Sequence, residues 1–101
     1  MRLPRTVNIR GRHYSIRRMS PDLQSDLEGD FSITHKRIRV KTNKNKDEAA
    51  HTLLHEVLHA IISEYDINLR SEELVVKTLE NGLMQVLRDN PKLVEYLLGD
   101  R

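Results

Sequence analysis

Two histidines four residues apart, with a glutamate directly after the first, form the set in this sequence best able to do chemistry together: His55-Glu56-Val57-Leu58-His59. On a helix, residues four apart are surface neighbours, so both imidazoles can reach one ion at about 2.0–2.1 Å. Glu56 is then rotated roughly 100° from His55, which sets its carboxylate beside the ion. This arrangement divides the labour of hydrolysis: two neutral nitrogens hold Zn²⁺, the ion lowers the pKa of water toward about 7, and the carboxylate takes the proton. A shuffled chain of this composition would contain the pattern in roughly one or two cases per hundred. The letters therefore count only if their surroundings are helical.

They are. Ala50, Leu53, Leu54, Val57, Leu58, Ile61, Ile62 and Tyr65 recur with helical period, predicting a helix from about Asp47 to Tyr65, with Asn45 or Asp47 as its cap. The two histidines fall at the margin of that apolar stripe, where they can line a cleft while the leucines anchor the helix. The bland alternative is two surface histidines beside an ordinary solvated charge. A catalytic zinc site also needs a third protein ligand and an open position. A second helix is expected from Ser71 to near Asn90, and it offers Glu72, Glu73 and Glu80. Glu72 lies at the centre of its apolar stripe, while Glu73 and Glu80 lie toward one edge. A buried carboxylate is costly without a partner, but a metal would remove that objection, so spacing leaves Glu72 and Glu73 level.

Upstream the period is two. Thr6-Val7-Asn8-Ile9 and Tyr14-Ser15-Ile16 around Gly11 predict one hairpin, and Phe31, Ile33, Ile38 and Val40 predict a second, with His35, Lys36 and Arg37 at its turn. Ser20-Pro21-Asp22 has helix-start chemistry but only Leu23 and Leu27 to bury, so a short helical turn ending near Gly29 is expected. Thr42 to Lys46 lacks apolar residues and reads as a solvated loop. Pro91 disfavours helical geometry at Asn90 and can open a third short helix carrying Leu93, Val94, Leu97 and Leu98, ended by Gly99. The expected fold is α+β: N-terminal hairpins forming a small antiparallel sheet, packed on two or three C-terminal helices. One domain over 1–101 is divided into a β-rich half, 1–42, and a helical half, 47–99.

The 101 residues suit a single compact domain with a modest core. With no cysteine, neither disulfides nor thiolate metal sites are possible, so any ion must be held by histidine, carboxylate or backbone oxygen. No apolar signal core follows Met1-Arg2-Leu3-Pro4-Arg5, and no segment approaches the roughly 20 apolar residues that span a bilayer, so no membrane partner and a cytoplasmic location are expected. The net charge of +2 hides an asymmetry: residues 1–46 carry twelve Lys or Arg against four acids, and residues 47–101 five against eleven. Either the basic half meets an acidic partner or nucleic acid, or the halves pack with complementary charge. The second is favoured, because no aromatic residues are interleaved as a single-strand stacking platform requires.

From His55-Glu56-Val57-Leu58-His59 onward the sequence resembles the ImmA/IrrE-like and phage-encoded zinc metallopeptidases, which combine HExxH on one helix with a metal-binding glutamate on the next. The second-helix pattern of that family is matched by Glu73, Val76, Leu79, Leu83 and Met84. The small phage-type members look similar over nearly the whole chain, through Thr52 to Ala60, Asn81-Gly82-Leu83 and Val86 to Pro91. The resemblance implies a zincin-like fold, Zn²⁺ held by His55, His59 and Glu73, Glu56 as catalytic residue, a peptide or protein substrate, and the host cytoplasm if the chain is phage-encoded. Larger relatives often add a domain for DNA or ligand sensing, for which 101 residues leave no room.

Among other residues, His51 extends the spacing of four and could approach the metal, but is expected as an exposed first-turn residue. His35 could reach the cleft as an oxyanion stabiliser and is expected to be only a turn residue. Tyr65 is expected in the core, and Arg37 and Arg39 on a solvated strand face. The Phe31–Val40 segment could line the cleft and pair with extended substrate. The alternative to an enzyme is an interaction protein with a structural or vestigial metal site, binding a partner or nucleic acid through its basic half.

Overall fold

The structure, a computed structural model, describes residues 2–19, 27–42 and 45–99. Four strands, β1 (Thr6–Ile9), β2 (Arg12–Arg18), β3 (Gly29–Ser32) and β4 (Arg37–Val40), precede three helices, α1 (Lys46–Glu64), α2 (Glu72–Asp89) and α3 (Pro91–Leu98). The class is α+β, as expected. Residues 20–26, where most of a helical turn was expected, lie outside the described residues, and Gly29 opens a strand instead.

Both hairpins form. Ile9 pairs with Arg12 across a two-residue turn in which Arg10 and Gly11 both have positive φ. That backbone matches the right-handed twist of the strands and favours glycine at its second place. The Asn8 side chain accepts from the Gly11 N–H at 2.8 Å.

The expected all-antiparallel sheet is corrected. Strand order is β1-β2-β4-β3, and β2 pairs with β4 in parallel, Ile16 opposite Ile38. The second hairpin enters the sheet with its second strand inward. The centre of a sheet rewards the strand that can bury most, and β4 brings Ile38 and Val40, both fully buried, whereas β3 has a buried glycine and two polar residues. Thus β4 sits centrally and β3 becomes an edge.

One sheet face supplies the core: Ile9, Tyr14, Ile16, Ile38 and Val40 meet Ala60 of α1, flanked by Leu53, Val57 and Phe31. The helix α1 is capped by Asn45, whose side chain accepts from the Glu48 N–H at 2.9 Å. Its far end is fastened to both hairpins. Glu64 accepts from the Tyr14 hydroxyl at 2.6 Å and from Lys36 at 2.9 Å, with the Arg12 Nε at 3.3 Å. Tyr65, expected in the core, is instead half exposed and lies under the Arg10 guanidinium at 4.4 Å, because the helix ends there and the ring passes beyond the sheet. The helix α2 packs on α1, and α3 packs on α2. Among the described residues, no helix is long and apolar enough to cross a membrane.

Candidate metal centre

Helical spacing of four sets His51, His55 and His59 on one side of α1, facing α2. The nitrogen that each imidazole turns to each carboxylate is the informative detail. His55 Nε2 lies 2.7 Å from one Glu73 oxygen, and His59 Nε2 lies 3.0 Å from the other. Behind them, His55 Nδ1 is 2.9 Å from Glu80 Oε1, and His59 Nδ1 is 2.6 Å from Glu72 Oε2. Each ligand-bearing ring therefore has one nitrogen tied to a supporting carboxylate and the other directed at Glu73. A donated Nδ1–H fixes the tautomer that leaves the Nε2 lone pair for an ion.

One ligand atom from each of His55, His59 and Glu73 lies within 4.8 Å of the others, and the three could hold a metal ion. The donor set fits a divalent ion of the zinc type: two imidazoles and a carboxylate, with carboxylates supporting both rings. The three glutamates that the second helix offers divide into Glu73, which faces both Nε2 atoms, and Glu72 and Glu80, which support from behind.

Glu56 is buried on the same helix, on the side turned toward β3. Burial pushes its pKa up; the positive ends of His55 and His59 act in the opposite direction without cancelling the effect. For His59 burial is the largest single influence and pushes its pKa down. Hydrogen bonds and charge from Glu72, Glu73 and Glu56 outweigh it, so the net shift is upward. A carboxylate with raised proton affinity beside paired imidazoles is suited to exchanging a proton.

A cleft of about 570 Å³ opens over these residues, with Asp30 and Phe31 of β3 on one wall and Glu73 and Lys77 of α2 on the other. Phe31 stacks on His59, ring centroids 6.0 Å apart and planes within 9°. Close approach of β3 to α1 depends on Gly29. A Cβ there would lie 2.7 Å from both the Arg39 carbonyl oxygen and Thr52 Cγ2, and 3.5 Å from Glu56 Cγ. Of the Phe31–Val40 segment expected along the cleft only Phe31 lines it, joined by Gly29 and Asp30 of the same edge strand, while β4 lies inside the sheet.

Two further expectations meet different fates. His51, expected as an exposed first-turn residue, is half-buried in the cleft wall, its Nδ1 2.7 Å from Glu80 Oε2, so that Glu80 bridges His51 and His55. The spacing of four carried this signal, but nothing in the sequence identified the carboxylate that would draw His51 inward. His35 is exposed in the β3–β4 turn, its backbone N–H donated to Ser32 Oγ at 3.1 Å, and does not line the cleft. The sequence offered Glu80 only as a possible ligand; its supporting role depends on how far α2 is displaced along α1.

Comparison with models of known protein families, with curated proteins and with solved structures finds no match in any of the three.

Proposed function

We propose that the chain is a zinc-dependent peptidase of the HExxH type, with the zincin-like architecture and the ImmA/IrrE-like kinship that its motifs resemble. The observation that carries the reading is the convergence of His55 Nε2, His59 Nε2 and the Glu73 carboxylate beside buried Glu56. When bound, Zn²⁺ supplies Lewis acidity, polarising a carbonyl and making water acidic enough to attack near pH 7.

The remaining work belongs to the chain. Glu80 and Glu72 accept hydrogen bonds from the Nδ1–H groups of His55 and His59, which orients the rings and leaves each Nε2 lone pair for an ion. One oxygen of Glu56 accepts the proton of the attacking water, and the same carboxylic acid returns it to the amine nitrogen as the peptide C–N bond breaks. The free edge of β3, which borders the cleft, is suited to receive an extended peptide by strand addition, with Phe31 excluding water beside His59.

The deciding experiment combines elemental analysis with hydrolysis of a mixed peptide library. The wild type should carry about one zinc per chain and cleave. Glu56→Gln should keep the zinc and lose cleavage by at least roughly 10²-fold, while His55→Ala should lose the ion. A Glu56→Gln protein that still cleaves at the wild-type rate would remove the role given to that carboxylate.

A further inference from the structure

The sheet has a second face, and no helix among the described residues covers it, because α1 packs on the Ile38 and Val40 side. Strand alternation turns Ser15, Arg17, Ser32, Arg37 and Arg39 to this face. Register sets Arg17 directly opposite Arg39 on the two central strands, and Arg37 follows two residues before Arg39. Like charges directly opposite one another destabilise a sheet. Asp30 is the only carboxylate within the four strands, and it grips Arg39 with both oxygens. Among the described residues neither Arg17 nor Arg37 makes an ion pair, and Arg37 Nε is buried without a hydrogen-bond partner. Ser15 and Ser32 stand on either side of Arg37 in the register.

Folding alone does not reward this arrangement, because it brings cations together and leaves a donor unsatisfied. An anionic partner would offset both costs. Strand geometry places the arginine positions about 4.8 Å apart across the sheet and about 6.6 Å apart along β4. That density suits a phosphate backbone carrying one charge per roughly 3.4 Å of strand. The guanidinium fork matches phosphate oxygens, and serine hydroxyls are common backbone donors.

We propose that this sheet face, uncovered among the described residues, is a nucleic-acid docking surface, which grips the sugar–phosphate backbone through Arg17 and Arg37 without reading bases. Phe31 and Tyr14 face the opposite side, and strand alternation turns only the imidazole of exposed His13, among the strands' rings, to this face. The face lies across the sheet from the metal centre, so the two activities stand or fall separately.

The test is fluorescence anisotropy of the full chain with fluorescein-labelled DNA of random sequence, single- and double-stranded, across a salt series from about 50 to 200 mM. Binding should weaken steeply with salt. Arg17→Gln combined with Arg37→Gln should weaken it about tenfold and reduce the slope of log K against log salt by nearly two, whereas Lys92→Gln on α3 should change neither. Exposed Arg17 can be replaced alone without threatening the fold. Arg17→Gln should match or exceed the wild-type melting temperature while reducing the slope by about one. Absence of salt-dependent binding would overturn the proposal, as would unchanged binding by the double variant or competition by poly-glutamate as strong as by DNA.

Discussion

Glu80 stands behind His55: its Oε1 is 2.9 Å from Nδ1, while the Nε2 of the same ring faces Glu73 at 2.7 Å. The carboxylate thus governs which nitrogen can serve an ion, although it lies outside the ligand set. Glu80→Gln should lower zinc affinity by about 10- to 100-fold, the usual cost of losing such a support. His55→Ala should abolish tight binding altogether. Competition against a chromophoric chelator measures both, and equal affinity in wild type and Glu80→Gln would show that the ring needs no such support.

Zinc should stabilise the folded chain because the donors converge only when α1 and α2 are packed. At a free concentration 100 times the dissociation constant, the expected gain is about 2.7 kcal/mol. Thermal melts with zinc and with excess chelator give the difference. His59→Ala should erase it, and a persistent gain in that variant would place the ion elsewhere.

Gly29→Ala should destabilise the protein by about 1–3 kcal/mol through overpacking. The added carbon would meet the Arg39 carbonyl, which is backbone, and Thr52 Cγ2, each at 2.7 Å. Denaturant titration measures the loss. A second substitution, Thr52→Ser, removes one of the two obstacles and should restore part of the stability; no restoration would mean that the backbone contact alone sets the cost.

Acid should unfasten the far end of α1. The Tyr14 hydroxyl, and then Lys36, hold the Glu64 carboxyl below the usual glutamate range, while burial and the same hydrogen bond push Tyr14 up to about 12. A carboxyl whose folded pKa is depressed contributes stability above its unfolded value near about 4.3, and that contribution drains away as pH falls through the folded value. Asp30, lowered by Arg39, adds to the same limb. Unfolding free energy measured from pH 7 down to 3 should therefore fall more steeply in wild type than in Glu64→Gln. Parallel curves would exclude Glu64 as a source of acid sensitivity.

Local chemistry was readable where a residue's role depends on its near neighbours. The 3.6 period fixed α1 to within a residue or so at each end, Asn45 was a foreseeable cap, and Pro91 and Gly99 bracket α3. His55 and His59 followed from spacing within one helix. What depends on distant partners was less accessible. Parallel pairing of β2 with β4 follows from a contest for the sheet centre among strands of similar local pattern. The division of labour among Glu72, Glu73 and Glu80 depends on how α2 is turned and displaced against α1, since Glu72 and Glu73 differ by roughly 100° of rotation and Glu80 lies about two turns further on. Tyr65 has the right period for burial, yet the sheet ends before it, and only the assembled outline reveals that.

The start of α2 has no cap of its own. Ser71 adopts a left-handed conformation with φ 55° and makes no side-chain cap, and the next two residues, Glu72 and Glu73, both reach back to His59. That amino end is thus stapled in place from the neighbouring helix rather than from within. Loading an ion would tighten the staple and chelation would slacken it, so amide exchange at the first turn of α2 becomes a built-in gauge of whether the protein is charged for work.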